Sequence, residues 1–244
     1  MSLFSIPATS ASVTYLKKPL IPPGTLLPDW VIENIVASEQ KELWKQTTYG
    51  NIFPDPVEEE TGQLGAVGYW VEDQLANLGL PVNKNNGIDL PPWNVEIKTR
   101  KLQAVSPHTF GQLSLKQILT TPWKDSPLMP KCQLNYQVIW DRDHMRTCVD
   151  RIVDLRQTWR QKLFEQAYNQ ARDQLIAYYC QPRVTKVLRR TAPIGGLYLE
   201  TAEKELGDEN KLEGIVYKFR VRFGLMKEWE IAGRKNTYDS LFLQ

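Results

Sequence analysis

Gly87-Ile88-Asp89-Leu90-Pro91-Pro92-Trp93-Asn94-Val95-Glu96-Ile97-Lys98 is the stretch on which the reading of this chain turns. Trp93, Val95 and Ile97 alternate with Asn94, Glu96 and Lys98. This is the period of a half-buried strand, and it sets Glu96 and Lys98 side by side on one face together with Arg100. A strand is expected over Trp93 to Arg100 and a shorter one over Gly87 to Leu90. Pro91 and Pro92 form the corner between them, because proline cannot sit inside a central ladder. Such a corner can return the chain so that Asp89, seven residues before Glu96, approaches it. Two converging carboxylates suit a hard cation such as magnesium, and Lys98 stands where its side chain can orient a coordinated water or, as the neutral amine, deprotonate it. The plainer alternative is an ordinary ion pair on a strand edge.

An E-x-K triplet alone carries little weight, since roughly one is expected by chance at this length. Glu39-Gln40-Lys41 falls in a helical pattern, where positions two apart point about 200° away from each other, and reads as a solvated face. Glu209-Asn210-Lys211 lies in a polar loop beside Gly207 and reads as surface.

Composition narrows the chemistry. Two histidines, His108 and His144, argue against hydrolytic triads, histidine-rich zinc sites and histidine-metal nucleases. The three cysteines, Cys132, Cys148 and Cys180, are widely spaced and form no C-x-x-C pair, so reduced, mostly buried thiols are expected. No apolar run reaches the roughly 20 residues that cross a bilayer, and the first residues lack an export signal, so a cytoplasmic protein with no membrane partner is expected. The 42% apolar content of the 244 residues can fill a core. A net charge of +2 neither demands nor forbids a polyanion.

Working outward, residues 1–28 hold Pro7, Pro19, Pro22, Pro23, Gly24 and Pro28 and read as an irregular arm. A helix with Asp29 as N-cap is expected from Asp29 to about Thr47, and another from about Gln63 to Leu78 with Leu64, Val67, Val71 and Leu75 on one stripe. Gln133 to Trp140 and Thr147 to Leu155 read as an antiparallel hairpin, followed by a long amphipathic helix over Arg156 to Tyr179. Strand-like runs follow at Val184 to Leu188, Gly196 to Glu200 and Gly214 to Leu225.

GIDLPPWNVEIK resembles the catalytic elements of the PD-(D/E)xK nucleases, most nearly the branch that contains the mismatch-repair nickase MutH and restriction enzymes such as Sau3AI and MvaI. That branch places a helix with a glycine and then a glutamate before the acidic strand, and GAVGYWVEDQL carries Gly68 and Glu72 at the matching spacing. The likeness covers about residues 61 to 100, with a vaguer echo in the Leu134 to Leu155 hairpin. It implies a restriction-endonuclease-like α/β core with a mixed central sheet flanked by helices. It also implies Asp89 and Glu96 as magnesium ligands, with manganese able to substitute, Lys98 as the catalytic lysine, and Glu72 as an additional acid. A further functional lysine, which this branch carries shortly before its next long strand, has no match in spacing. Lys124 and Lys131 are the local candidates, and neither is assigned.

In Tyr217 to Phe223 strict alternation puts Lys218, Arg220 and Arg222 on one face, suited to phosphate contact or to a solvated surface. Arg183, Lys186, Arg189 and Arg190 form a second basic cluster, and Arg100 with Lys101 flank the acidic strand. His108 reads as a polar turn residue within reach of DNA, and His144 as an inert turn residue. The expectation is one endonuclease domain, monomeric or dimeric, with its catalytic core over 61–155 and DNA-contacting strands over 181–244. It would cut double-stranded DNA at a specific short sequence, as type II restriction enzymes do. A nicking or phage repair and recombination nuclease, a DNA-binding protein without catalysis, and a protein-interaction module remain alternatives.

Overall fold

The computed structural model describes residues 20–46, 65–85, 87–104, 106–182, 184, 186–201 and 214–229. Leu64, Arg183 and the Glu209 to Lys211 triplet lie outside them. The chain is mixed α/β and divides into two compact units.

The first unit comprises residues 1–82, 97–104 and 136–151. Its helices are α1, Asp29–Gln46, and α2, Ala66–Asn77, which pack on each other. Asp29 is not the N-cap. Pro28 takes that place, its carbonyl accepting from Val31 at 2.9 Å and Ile32 at 3.1 Å, so Asp29 stands in the first turn with its charge at the positive end of the helix. On α2 the expected stripe is buried at Val67, Val71 and Leu75. Gly65 precedes it with φ at +105°, a left-handed conformation open to glycine.

The described end of the proline-rich arm is docked rather than loose. Gly24 N donates to Thr147 O, Leu27 N donates to Met145 O, and Ile21 and Leu27 are buried. Leu20 N and Ile21 N donate to the Asp150 carboxylate, and so does the Tyr136 hydroxyl at 2.8 Å. Burial nevertheless pushes the Asp150 carboxyl above its ordinary range.

Among the described residues two three-stranded sheets, mostly antiparallel, stand where a single mixed sheet is expected. One has the order β1-β3-β4, with β1 at Val95–Lys101, β3 at Leu134–Asp141 and β4 at Arg146–Asp154. The other has the order β2-β6-β5, with β2 at His108–Ser114, β5 at Leu197–Glu200 and β6 at Val216–Val221. Alternation reports which face of a strand is buried and says nothing about its partner, and β6 finds an unforeseen partner in β2. Of the Val184 to Leu188 run, Lys186 takes part in an isolated bridge and Val184, Val187 and Leu188 lie outside any strand. Beyond it Arg190 bridges Glu200 and Ile194 bridges Leu197, both on β5.

The second unit comprises residues 83–96, 105–135 and 152–244. Helix α5, Thr158–Tyr179, packs on β5, and the core between them is aromatic, with Phe110, Trp123, Phe164, Tyr168 and Phe219 in mutual contact. Two short helices sit beside it: α3, Leu115–Thr120, begun by a reciprocal Ser114–Gln117 capping box, and α4, Leu128–Lys131. His108 opens β2 and is buried against Phe110, with ring centroids 5.1 Å apart. It is a core residue and not a turn histidine. Of the cysteines only Cys132 is buried; Cys148 is half-buried and Cys180 exposed. Among the described residues no helix is long and apolar enough to cross a membrane.

Candidate active site

GIDL is not a strand. Its backbone turns instead onto Asn83: Asn83 N donates to Asp89 O at 2.7 Å, and Asn83 Nδ2 donates to Ile88 O at 3.2 Å. A Cβ on Gly87 would stand 2.9 Å from that same Nδ2, so glycine is what lets the clamp close. Pro91–Trp93 then form one 3₁₀ turn, and Asn94 leaves it in the left-handed conformation, φ 58°. Two asparagines and a glycine do here what short polar side chains do in turns generally.

The turn ends in a reciprocal pair, Leu90 N to Val95 O at 2.9 Å and Val95 N to Leu90 O at 3.3 Å, which is an isolated antiparallel bridge. Asp89 and Glu96 are the residues that flank this isolated bridge. Leu90 and Val95 are both buried, and so is Glu96, while Asp89 is half-buried.

Glu96 is 3% exposed, and Lys131 Nζ lies 3.0 Å from its Oε1. Lys131 ends α4, which packs on β2. Asn94 also donates to Gln133, just beyond that helix, at 3.4 Å. The sequence alone assigns Lys131 no role, and nothing but its place before a long strand hints at one. Lys124 is exposed.

Lys98, two residues beyond Glu96 on β1, is half-buried and belongs with Glu72 to the first unit. There α2 passes β1 closely: a Cβ on Gly68 would meet Thr99 Oγ1 at 3.8 Å. Glu72 lies one helical turn beyond Gly68, and Thr99 alternates with Lys98, so the helix meets the strand on the face opposite Lys98. Glu72, Asp89, Glu96 and Lys98 all engage in polar or electrostatic interactions.

Among the described residues no three histidine, cysteine or acidic side chains gather as a metal-holding group. The donor chemistry still fits magnesium, which is held by one or two carboxylates together with substrate phosphates and water rather than by an all-protein cage. Asp89 and Glu96 are carboxylates of that kind, and Glu96 has Lys131 as its positive partner.

The basic residues have differing surroundings. Lys101 lies 3.4 Å from Glu39, and Arg142 grips the same carboxylate with Nη2 at 2.7 Å. Glu39 is therefore no plain solvated residue, and hydrogen bonds from Arg142 hold its carboxyl below the usual range. At the hairpin tip Asp141 accepts from Gln103 at 2.7 Å and meets His144 Nδ1 at 2.6 Å. These two, Gln103 foremost, bring its carboxyl down to about 2. Arg100 is half-buried on β1. On β6 the alternation is as expected: Tyr217, Phe219 and Val221 are buried, Lys218 and Arg222 are exposed, and Arg220 is half-buried with Nη1 2.8 Å from Glu200.

No family model matches the sequence, and no curated protein matches it.

Proposed function

We propose that this chain is a magnesium-dependent endonuclease of the PD-(D/E)xK type with a restriction-endonuclease-like core. It hydrolyses phosphodiester bonds of double-stranded DNA at a specific short sequence, as a type II restriction enzyme. The observation that supports this reading is the Leu90–Val95 bridge, which joins the backbone next to Asp89 to that next to a buried, cation-paired Glu96. Asp89 and Glu96 would hold the metal. When bound, magnesium neutralises charge on the scissile phosphate and lowers the pKa of a coordinated water. Lys98 would orient the attacking water through Nζ, and Lys131 would hold Glu96 in place; Glu72, whose helix meets β1 on the other face, is given no part in the chemistry.

A second reading is favoured by one observation: Lys131 already matches the charge of Glu96. The acids are then a structural ion pair, and the protein binds DNA without cutting it. The two readings part on one experiment. Plasmid and phage DNA are incubated with the purified protein and magnesium, and the fragment ends are sequenced. Discrete ends are expected, with cleavage reduced about 100-fold or more in Asp89→Ala and Lys98→Ala while melting temperatures stay near the parent's. Cleavage unchanged in both variants removes the catalytic assignment.

A further inference from the structure

The solvated face of the second sheet carries charges that the candidate active site does not use. Register sets Gln112, Lys218 and Glu200 in one row across β2, β6 and β5, and the Arg190–Glu200 bridge extends that row to a fourth segment. The neighbouring row sets Thr109, Arg220 and Tyr198 side by side. Side chains facing each other across strands interact, so Glu200 is surrounded by cations. It binds the Arg190 guanidinium on one oxygen and Arg220 on the other, the latter at 2.8 Å. The Arg190 guanidinium also lies over the Tyr198 ring, 4.9 Å from its centroid, with the side chain 59% exposed.

One carboxylate does not neutralise this face. Arg190, Lys218, Arg220 and Arg222 against Glu200 leave an excess of three positive charges among the described residues there. A stacked guanidinium held flat by a carboxylate keeps the rest of its fork available, and that fork matches phosphate oxygens in pairs.

The geometry points to this face as a docking surface for the phosphate backbone of duplex DNA. Arg190 and Lys218 are its contacts, Arg222 lies at its end, and Glu200 competes with phosphate for Arg190 and Arg220. The inference rests on the nuclease reading in taking the polyanion to be duplex DNA. It adds Arg190, and it turns Arg220 from a free contact into one that Glu200 restrains.

Binding of the whole chain to a labelled duplex is measured in EDTA, so that nothing is cut, between about 50 and about 200 mM salt. For every phosphate that the protein no longer neutralises, the slope of log affinity against log salt becomes shallower by about 0.9. The Arg190→Gln/Lys218→Gln variant is expected to have a slope shallower than the parent's by about two, and Glu200→Gln to bind more tightly with a steeper slope. Melting temperatures identify any variant that misfolds, and Arg190→Lys, which keeps the charge, should hold the parent slope. A double variant with the parent slope overturns the surface, and cleavage measured alongside in magnesium then leaves the nuclease reading standing. A parent protein that neither binds nor cuts duplex DNA overturns both.

Discussion

Replacing Lys131 with methionine keeps a long apolar stem and deletes one charge. The partner left behind is Glu96, 3% exposed and 3.0 Å from the position of the ammonium. Coulomb attraction at that separation, with an effective dielectric near 20, is about 5 kcal/mol. The lysine side chain is itself 22% exposed, so water screens part of the attraction, and removing the lysine also removes its own desolvation penalty. Breaking one side of a buried pair runs at about 3–5 kcal/mol. The partial exposure argues for the low end, about 3 kcal/mol. In a chain of this size that lowers the melting temperature by about 6–12 °C.

The sharper assay is a double-mutant cycle in urea at neutral pH, comparing the parent, Lys131→Met, Glu96→Gln and the double variant. If the charge of Glu96 is what needs Lys131, the double variant recovers most of the loss, with a coupling of about 2 kcal/mol or more. Strict additivity would refute the argument, because the two groups would then be neighbours without a shared electrostatic role. Lys131→Met should also gain more thermal stability from added magnesium than the parent does, since Glu96 no longer shares its oxygen with an ammonium. Asp89→Asn in the same background should remove that gain.

Two further outcomes are expected. Gly111→Ala places a Cβ 2.7 Å from Leu128 Cδ2 and 3.3 Å from Lys131 Cδ. Leu128 is 1% exposed and has little room to yield, so a loss of about 1–3 kcal/mol in urea unfolding and slower cleavage, through displacement of Lys131, should accompany each other. Asp150→Asn probes a carboxyl that burial raises above its ordinary value. The unfolded chain releases that proton near its usual pKa of about 3.9 and the folded chain only at higher pH, so the contribution of Asp150 to stability is full below about 3.9 and is lost as pH rises through the folded value. The urea midpoint of the variant relative to the parent should therefore climb between about pH 4 and about pH 7; a pH-independent difference would contradict the assignment.

Long periodic elements are legible in the sequence. The α1 stripe, α5 and the β3–β4 hairpin repeat their pattern over enough residues for local chemistry to determine them, and the alternation of β1 places Glu96 and Lys98 on one strand. The departures from expectation share a cause, which is that partners distant in sequence leave no local mark. Strand β2 carries Gly111 and a register irregularity between Thr109 and Gly111, and it pairs with β6, about a hundred residues away. Glu39 looks solvated in the sequence because its partner Arg142 lies 103 positions on. Lys131 looks idle there because Glu96 is 35 positions before it. The residue types of GIDL suggest a strand, whereas the carbonyls of Ile88 and Asp89 go to Asn83 rather than to a ladder.

That last difference bears on the chemistry. A regular strand at GIDL would need a partner strand along its length to hold Asp89, and a change anywhere in that sheet could shift it. The observed turn holds the backbone around Asp89 by local means: the Asn83 clamp with Gly87 leaving space for it, two prolines that fix the 3₁₀ turn and donate no hydrogen bonds, the left-handed Asn94, and the Leu90–Val95 pair. Proline lacks an N–H and asparagine tolerates positive φ, so each of these residues is chosen by the backbone position it fills. Glu96, by contrast, is also held from a distance, through the pairing of β1 with β3 and through Lys131. On the proposed reading, in which both carboxylates hold one cation, this rigidity of the backbone at Asp89 matters, since positional error of about 1 Å in a catalytic group is enough to lose two orders of magnitude in rate.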